Sequence, residues 1–314
     1  MPGVLRRVHA AGAVLALAAM TLSGCGGDFD DVKLTVATGS LQGVYYRLGG
    51  ALADAWTAQL GIAHPQVVAT NGSVDNLRRL RTGQADVAFS AADAATREDG
   101  GGPRQLRALA RMHDDYLQLV VRSDLPARKL TDLRGLRVSI GSPTSGVELI
   151  AERLLASAGM SPETDLVTTR LGLDDSLLEM REGRLDAFFW SGGVPTSGIT
   201  ALSESLGLRM LDLGDVLPQL REQYPEYGWA TLPASAYGLP GGPVETLVVR
   251  NFLLVTDAMP DDVAEALVRG LFQAQPQLVA ASEVARSIEP RAAVETTPVP
   301  LHPGAMAHYR GAKV

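Results

Sequence analysis

The chain has 314 residues, with 28 Lys and Arg against 35 Asp and Glu, 5 His, one Cys and a formal net charge of −7. This acidic balance disfavours nucleic acid as a partner, because nucleic-acid binding depends on an excess of clustered basic side chains. A single Cys also excludes a disulfide within the chain, so the hydrophobic core must hold the fold by itself.

The first predicted segment is a lipoprotein signal peptide over residues 1–24. Arg6 and Arg7 precede a run of small and apolar residues from Ala10 to Met20, which is too short to span a bilayer as a helix. The tetrad Leu22-Ser23-Gly24-Cys25 resembles the bacterial lipobox, whose cysteine is acylated and becomes the first mature residue. We therefore expect Cys25 to be a lipid attachment site that holds the protein on a membrane outside the cytoplasm, in the periplasm or at the cell surface.

Residues 25–31 are expected to form a polar tether between this anchor and the folded part. Removal of the signal peptide leaves 26 Lys and Arg against 35 Asp and Glu, a net charge of −9. The remaining chain is long for one hydrophobic core and suits two lobes of roughly 100–200 residues each.

Strands and helices alternate along the first part of the mature chain. A strand over Val32–Thr38 precedes a loop and a helix over Tyr45–Leu60, in which Leu48, Leu52 and Trp56 recur at helical spacing. The same reasoning predicts a strand, a helix and a strand over Gln66–Ala69, Val74–Arg81 and Asp86–Phe89, with Ser73 as the N-cap of this helix and Gly83 as its C-cap. This alternation predicts a parallel sheet with helices on both faces.

The pattern restarts in the second part of the chain, after two apolar runs that predict strands near a crossover, Leu106–Ala110 and Leu117–Val121. Further strands and helices are predicted over Arg137–Ile140, Val147–Ala158, Leu166–Thr169, Asp174–Glu182 and Leu185–Trp190, with another helix after Pro195. The run Thr246–Val255 predicts one or two strands that lead the chain back. We therefore expect lobe 1 over residues 32–122, lobe 2 over 123–245 and a return to lobe 1 over 246–314.

Each half of the chain places a loop of small and hydroxyl residues after its first strand. These loops are Thr38–Tyr46 and Gly141–Gly146. Ligands of open α/β sheets bind beyond the carboxyl ends of the strands, where helix N-termini present N–H groups. The two loops therefore predict a cleft that binds a small anionic solute such as a carboxylate.

These loops belong to a set of motifs that together resemble one family, the TAXI family of TRAP-transporter solute receptors. The motifs are Thr38-Gly39-Ser40-x-x-Gly43-Val44-Tyr45-Tyr46-x-Leu48-Gly49, Asn71-Gly72-Ser73-Val74-x-Asn76-Leu77, Leu133-x-Gly135-x-x-Val138-Ser139-Ile140-Gly141, Asp186-Ala187-Phe188-Phe189-Trp190 and Leu301-His302-Pro303-Gly304-Ala305-x-x-x-Tyr309. The resemblance implies a type II periplasmic-binding-protein fold, in which two α/β lobes joined by a hinge close on a ligand in the cleft between them. It also implies a solute such as glutamate or a dicarboxylate, delivered to a TRAP-type membrane permease.

The resemblance further implies the residues that contact the solute. They are Ser40, Gly43, Val44, Tyr45, Asn71, Ser73, Ser90 and Asp93 in lobe 1 and Thr144, Ser145, Gly146, Trp190, Ser191 and Gly192 in lobe 2. Tyr45 and Trp190 are expected to flank the solute with their rings, whereas hydroxyl and amide groups donate to its carboxylate. The segment Ser40-Leu41-Gln42 departs from the glycine-richer family loop, and ligand preference is expected to differ there.

Other chemistries are poorly represented in the sequence. It contains no nucleotide-binding or hydrolase motif and no zinc pattern, so we expect neither a cofactor nor a metal. The adjacent acids Asp114-Asp115 and Asp174-Asp175 are expected to diverge rather than share a proton. Two alternatives to a transport receptor remain open: a sensory lipoprotein that signals to a membrane kinase and, as a weaker hypothesis, an enzyme on the same scaffold.

Overall fold

A computed structural model describes residues 29–97 and 104–313, and within these residues the chain forms one ten-stranded sheet covered by helices. The strand order is β2-β1-β3-β10-β4-β7-β5-β6, with β8 paired to β4 and β9 paired to β10. The strands are β1 Thr35–Ala37, β2 Gln66–Val68, β3 Val87–Ala91, β4 Leu106–Arg122, β5 Arg137–Ser139, β6 Val167–Thr169, β7 Ala187–Gly192, β8 Leu208–Met210, β9 Gly228–Leu232 and β10 Val244–Thr256. The signal peptide and Cys25 lie outside the described residues.

Helices fill most connections between these strands. In the described part of the chain they are α1 Val44–Leu60, α2 Ser73–Thr82, α3 Ala92–Arg97, α4 Gly146–Ser157, α5 Pro162–Asp165, α6 Leu173–Arg181, α7 Ser197–Ser203, α8 Leu217–Gln223, α9 Asp261–Gln273, α10 Gln275–Ala281, α11 Pro290–Ala293 and α12 Pro303–Gly311. Short 3-10 helices occupy Leu130–Leu133, Ala234–Ala236 and Glu283–Ser287. None of the described helices has the length and apolar character that a membrane crossing requires.

The sheet consists of two parallel parts joined by two long antiparallel strands. Strand β1 pairs in parallel with β2 and β3, and β5 pairs in parallel with β6 and β7. Between them, β10 is antiparallel to both β3 and β4, and β4 is antiparallel to β7. We call the part around β1–β3 lobe 1 and the part around β5–β7 lobe 2; the residue numbers at which one lobe gives way to the other stay a prediction.

Strands β4 and β10, which connect the two parts of the sheet, are longer than predicted from the sequence. The two predicted runs Leu106–Ala110 and Leu117–Val121 belong to the single strand β4, and β10 is likewise continuous. Their pairing shifts register twice, between Arg250 and Phe252 and between Leu253 and Leu254, and β4 carries one extra residue at each shift. Such bulges increase local twist and redirect side chains, and the first of them lies at the middle of β10.

The chain returns to lobe 1 after β10. Helix α9 packs against α1 and α12, and the Trp56 indole N–H donates to the Leu267 carbonyl over 3.1 Å. Near the C-terminus, the Tyr309 hydroxyl donates to the Leu109 carbonyl over 2.8 Å. Both side chains are buried in the same hydrophobic cluster of lobe 1, so the return segment completes that core.

Two capping predictions had different outcomes. Gly83 ends α2 in the left-handed region with φ 71°, as expected for a C-cap glycine. The N-cap prediction at Ser73 was wrong, because α2 begins at Ser73 and Gly72 is its N-cap. The Ser73 hydroxyl instead accepts a hydrogen bond from the backbone N–H of Ala91 over 3.0 Å, which ties the start of α2 to the end of β3.

Candidate functional site

A cavity of about 370 Å³ lies between the two lobes, a size that suits a small-molecule ligand. Most of its lining comes from loops that follow β1, β2, β5 and β6 and from the end of β7. The lining residues from lobe 1 include Gly39, Ser40, Gly43, Val44, Tyr45, Thr70, Asn71, Gly72 and Ser73, and those from lobe 2 include Ser142, Ser145, Gly146, Arg170, Gly172, Asp174, Asp175, Phe189, Trp190, Ser191 and Gly192. Loops at the carboxyl ends of strands thus build the site in both lobes.

Four helices begin at this cavity, and their N-caps are Gly43, Gly72, Ser145 and Gly172. The three glycines offer no side-chain cap to their helices. The N-terminus of a helix carries a partial positive charge and N–H groups that lack partners within the helix. The cavity can therefore stabilise an anionic group of a ligand with backbone atoms alone.

The lobes touch each other beside the cavity. The Ser142 hydroxyl donates to the Asn71 carbonyl over 3.1 Å, and the Asp75 N–H donates to the Thr144 carbonyl over 3.0 Å. A second contact joins the Arg47 guanidinium to the Ser197 hydroxyl over 3.3 Å. The structure is therefore a closed arrangement, with the cavity held between contacting loops of lobe 1 and lobe 2.

Two aromatic side chains predicted to flank the solute lie in the cavity lining. Tyr45 stacks on Phe89 with ring centroids 5.1 Å apart, and its hydroxyl donates to Asn251 on β10. Burial, followed by the charge of Asp115, raises the pKa of Tyr45 well above its usual value, so the phenol stays a neutral donor. On the opposite lobe, the Trp190 indole N–H donates to the Thr196 hydroxyl over 3.0 Å, which fixes the ring that faces the cavity.

The predicted polar contacts also come together. Asn71, Ser73, Ser145 and Gly146 all line the cavity, and a Cβ atom placed on Gly146 would lie 3.2 Å from the Ser73 hydroxyl. The Ser145 hydroxyl oxygen accepts from the Glu148 N–H over 3.0 Å. Its hydrogen is left free to donate, because a hydroxyl is both donor and acceptor.

The unusual first loop contributes one side chain to the cavity. Ser40 is among the lining residues, and its buried hydroxyl oxygen has no hydrogen-bond partner in the described part of the chain. Leu41 and Gln42 are exposed, and Leu41 is 58% accessible. Of the residues Ser40, Leu41 and Gln42, Ser40 is therefore the one placed to contact a ligand in the cavity.

Three predicted site residues lie away from the cavity lining: Ser90, Asp93 and Thr144. Ser90 is buried in β3, where its hydroxyl donates to the Ala91 carbonyl. Thr144 has a left-handed backbone with φ 61°, which is strained for a residue with a branched side chain. This backbone directs its carbonyl to α2 of the other lobe, so Thr144 joins the lobes and is not part of the cavity lining.

Asp93 joins the lobes in a buried cluster. Its Oδ2 accepts from the Tyr227 hydroxyl over 2.8 Å, and Arg153 on α4 donates to the same hydroxyl over 2.9 Å and to Glu226 over 3.0 Å. Burial raises the pKa of Asp93 to about 6, although the hydrogen bond from Tyr227 and the charge of Arg153 oppose this shift. The Asp93 carboxylate therefore joins the lobes, and the free-energy cost of burying its negative charge increases as the pH rises.

Several charged residues of the lining were not predicted from the sequence, namely Asp115, Arg170, Asp174 and Asp175. Arg170 directly follows β6. It could have been predicted, because ligands of open α/β sheets bind beyond the carboxyl ends of the strands. Asp174 and Asp175 occupy the first turn of α6, as predicted, but both also face the cavity. Asp115 lies within β4 beside the first bulge, where the sequence gives no signal. The described residues contain no group of three or more His, Cys, Asp and Glu able to hold a metal ion.

Comparisons with known proteins agree with this architecture. Residues 36–312 match the model of the NMT1-like family. The chain is similar to a solved structure from Bordetella bronchiseptica RB50, at 18% identity over 88% of each chain and a TM-score of 0.55. It is also similar to a periplasmic transporter, at 16% identity over 81% of this chain and 87% of that chain and a TM-score of 0.54. A third similar structure is XAC2383 from Xanthomonas citri bound to ATP, at 15% identity over 89% and 94% and a TM-score of 0.51. These likenesses confirm the predicted α/β periplasmic-binding-protein fold.

The Asp93 cluster predicts a defined pH dependence of stability. Because the folded pKa of Asp93, about 6, exceeds its usual value of 3.8, the folded protein binds more protons than the unfolded chain between these pH values. The free energy of unfolding should therefore fall by about 2 kcal/mol between pH 4 and pH 6.5 on account of this group. Asp93→Asn, which still accepts from Tyr227, should remove this part of the slope in urea unfolding measured across that range.

Asp54→Asn is the matched control, because the Asp54 side chain is 80% exposed. This variant should keep the wild-type slope. An unchanged slope in Asp93→Asn would show that Asp93 is not the buried proton-binding group inferred from the structure.

Proposed function

The chain belongs to the NMT1-like family, and we propose that it is an extracytoplasmic solute-binding receptor that delivers its ligand to a membrane transport system. The observation that carries this proposal is the cavity between two contacting lobes, with four helix N-termini directed at it. A site of this kind holds a ligand through backbone and hydroxyl groups. The proposed role is therefore binding and release, without chemical conversion.

The proposed ligand is a small organic acid or amino acid. Its carboxylate would accept from the N–H groups at the starts of α1, α2 and α4 and from the hydroxyls of Ser73 and Ser145. The rings of Tyr45 and Trp190 would flank its apolar part from the two lobes. In this proposal the Ser40 hydroxyl, which lacks a protein partner, supplies a further contact.

The proposed transport partner is a TRAP-type permease. The support for it is the sequence resemblance to TAXI receptors, whose motifs fall on the loops that line the cavity: Thr38–Tyr46, Asn71–Leu77 and the end of β7. Bending of β4 and β10, the two strands that connect the lobes, would open the cavity. The solute would favour the closed form because it contacts both lobes at once.

Solute binding can be tested by thermal unfolding. A screen of organic acids and amino acids on the purified mature chain should find at least one that raises the melting temperature, since ligand at a hundred times its Kd adds about 2.7 kcal/mol of stability. Calorimetry with that ligand should then show binding at least about tenfold weaker in Tyr45→Ala and in Trp190→Ala, because each loses a large part of one cavity face.

Trp229→Ala is the matched control for the loss of an aromatic ring. Trp229 lies on β9, outside the cavity lining, and is 43% exposed, so this variant should bind as the wild type does. Equal affinities in all three variants would place the ligand elsewhere, and the absence of a shift with every acid would refute the proposed ligand class.

The proposed membrane anchor has a separate test. Cys25→Ser should move the protein from the membrane fraction to the soluble extracytoplasmic fraction, because stable anchoring depends on the acyl chains attached to that thiol. Immunoblotting of both fractions measures the distribution. Retention of the variant in the membrane fraction would contradict lipid attachment at Cys25.

A further inference from the structure

Two carboxylates in the cavity lining, Asp115 and Asp174, each have a buried oxygen without a hydrogen-bond partner among the described residues, and Asp115 is the more deeply buried of the two. Asp115 contributes to the lining and is 5% exposed. Its Oδ1 atom makes no hydrogen bond to the described residues. A carboxylate oxygen buried in this state is costly, because it has lost water without gaining a donor. A donor on the ligand would remove this cost.

The nearest basic group does not provide that donor. Nε2 of His113 lies 3.0 Å from Asp115 Oδ1, but the two atoms do not have hydrogen-bond geometry, and both ring nitrogens of His113 are without partners among the described residues. Tyr45 is close enough for Asp115 to affect its pKa, yet its hydroxyl donates to Asn251. Asp115 is therefore left facing the cavity.

The other charges of the cavity do not balance this carboxylate. Its lining contains three acids, Asp115, Asp174 and Asp175, and one base, Arg170. Arg170 is already engaged by Glu148 at 2.8 Å and by Glu163 at 3.2 Å. The cavity thus combines an excess of carboxylates with the partial positive charges of four helix N-termini. This combination suits a ligand that carries both signs of charge.

We propose that Asp115 is the binding site for a protonated nitrogen of the solute, so that the receptor takes amino acids or similar zwitterions in preference to the corresponding acids without nitrogen. This inference rests on the proposed receptor function and narrows its ligand class. An ammonium group donates to Asp115, while the ligand carboxylate meets the helix N-termini. A dicarboxylate would instead bring a second negative charge towards three acids.

The test compares ligands that differ only in the nitrogen. Calorimetry on the wild-type mature chain compares L-glutamate with glutarate and L-alanine with propionate. Each other amino acid of the screen is compared with the acid that lacks its amino group. For the pair that binds, the amino acid should have an affinity about 10- to 100-fold higher, since the analogue leaves Asp115 without a donor. Asp115→Asn should lower amino-acid affinity by at least about tenfold and reduce the ratio within the pair towards one.

Asp114→Asn is the matched control. Asp114 is the neighbouring residue, but its side chain pairs with Arg111 at 3.0 Å and is not part of the cavity lining. This variant should keep both the affinity and the ratio of the wild type. Thermal unfolding of each ligand-free variant checks that it is folded, and the ratio measured on the wild type decides the question if Asp115→Asn does not fold.

The outcomes separate this inference from the receptor proposal. Equal or tighter binding of the acid without nitrogen would overturn the role of Asp115 and leave the receptor proposal intact. A preference for the amino acid that persists unchanged in folded Asp115→Asn would also overturn it, because another group would then bind the nitrogen. Failure of every tested acid and amino acid to bind would refute the receptor's proposed ligand class together with this inference.

Discussion

The antiparallel pairing of β4 with β10 joins the two parallel parts of the sheet and thereby determines where the cavity forms. These two strands are 17 and 13 residues long, and they are the central members of the sheet, with the β1–β3 part on one side and the β5–β7 part on the other. In each parallel part of the sheet, the loops that line the cavity follow the carboxyl ends of the strands. The cavity forms where the loops of the two parts meet. The first bulge between β4 and β10 lies at the middle of β10, so the same backbone that joins the lobes also presents Asp115 and Asn251 beside the site.

The electrostatics of the cavity follow from two different structural sources. Backbone groups at four helix N-termini supply partial positive charge without any basic side chain, whereas acidic side chains come from β4 and from the first turn of α6. A strongly acidic chain can therefore still bind an anionic group, because local N–H groups act at short range and net charge does not. The contacts between Asn71 and Ser142 and between Asp93 and Tyr227 hold the lobes together around this site with polar bonds, which can break when the lobes separate.

Sequence periodicity and loop composition predicted the alternation of strands and helices and most of the loops that line the cavity, whereas the periplasmic-binding-protein fold was predicted from the resemblance to a known family. The alternation and the loops are local features, since they depend on apolar spacing and on Gly and Ser residues directly after strands. The continuous strands β4 and β10 were not predicted in full, because the residues around Asp114 and Arg250 interrupt the apolar runs of both strands. Asp115 and Asp93 depend on contacts between distant segments: Asp115 faces the cavity beside a bulge formed with β10, and Asp93 is bonded to Tyr227, which is 134 residues away in sequence. No pattern along the chain indicates either arrangement.

We infer that the two lobes close on a solute by bending of β4 and β10, the strands that connect them. Distances between spin labels would measure this closure, with one label on lobe 1 at Ala58→Cys in α1 and one on lobe 2 at Leu178→Cys in α6, both exposed positions, in a chain that also carries Cys25→Ser. Pulsed electron paramagnetic resonance should give a broad or longer distance distribution without solute. At saturation with the acid or amino acid that gives the largest thermal shift, it should give a narrow, shorter one. Identical distributions in the two conditions would contradict closure on the solute.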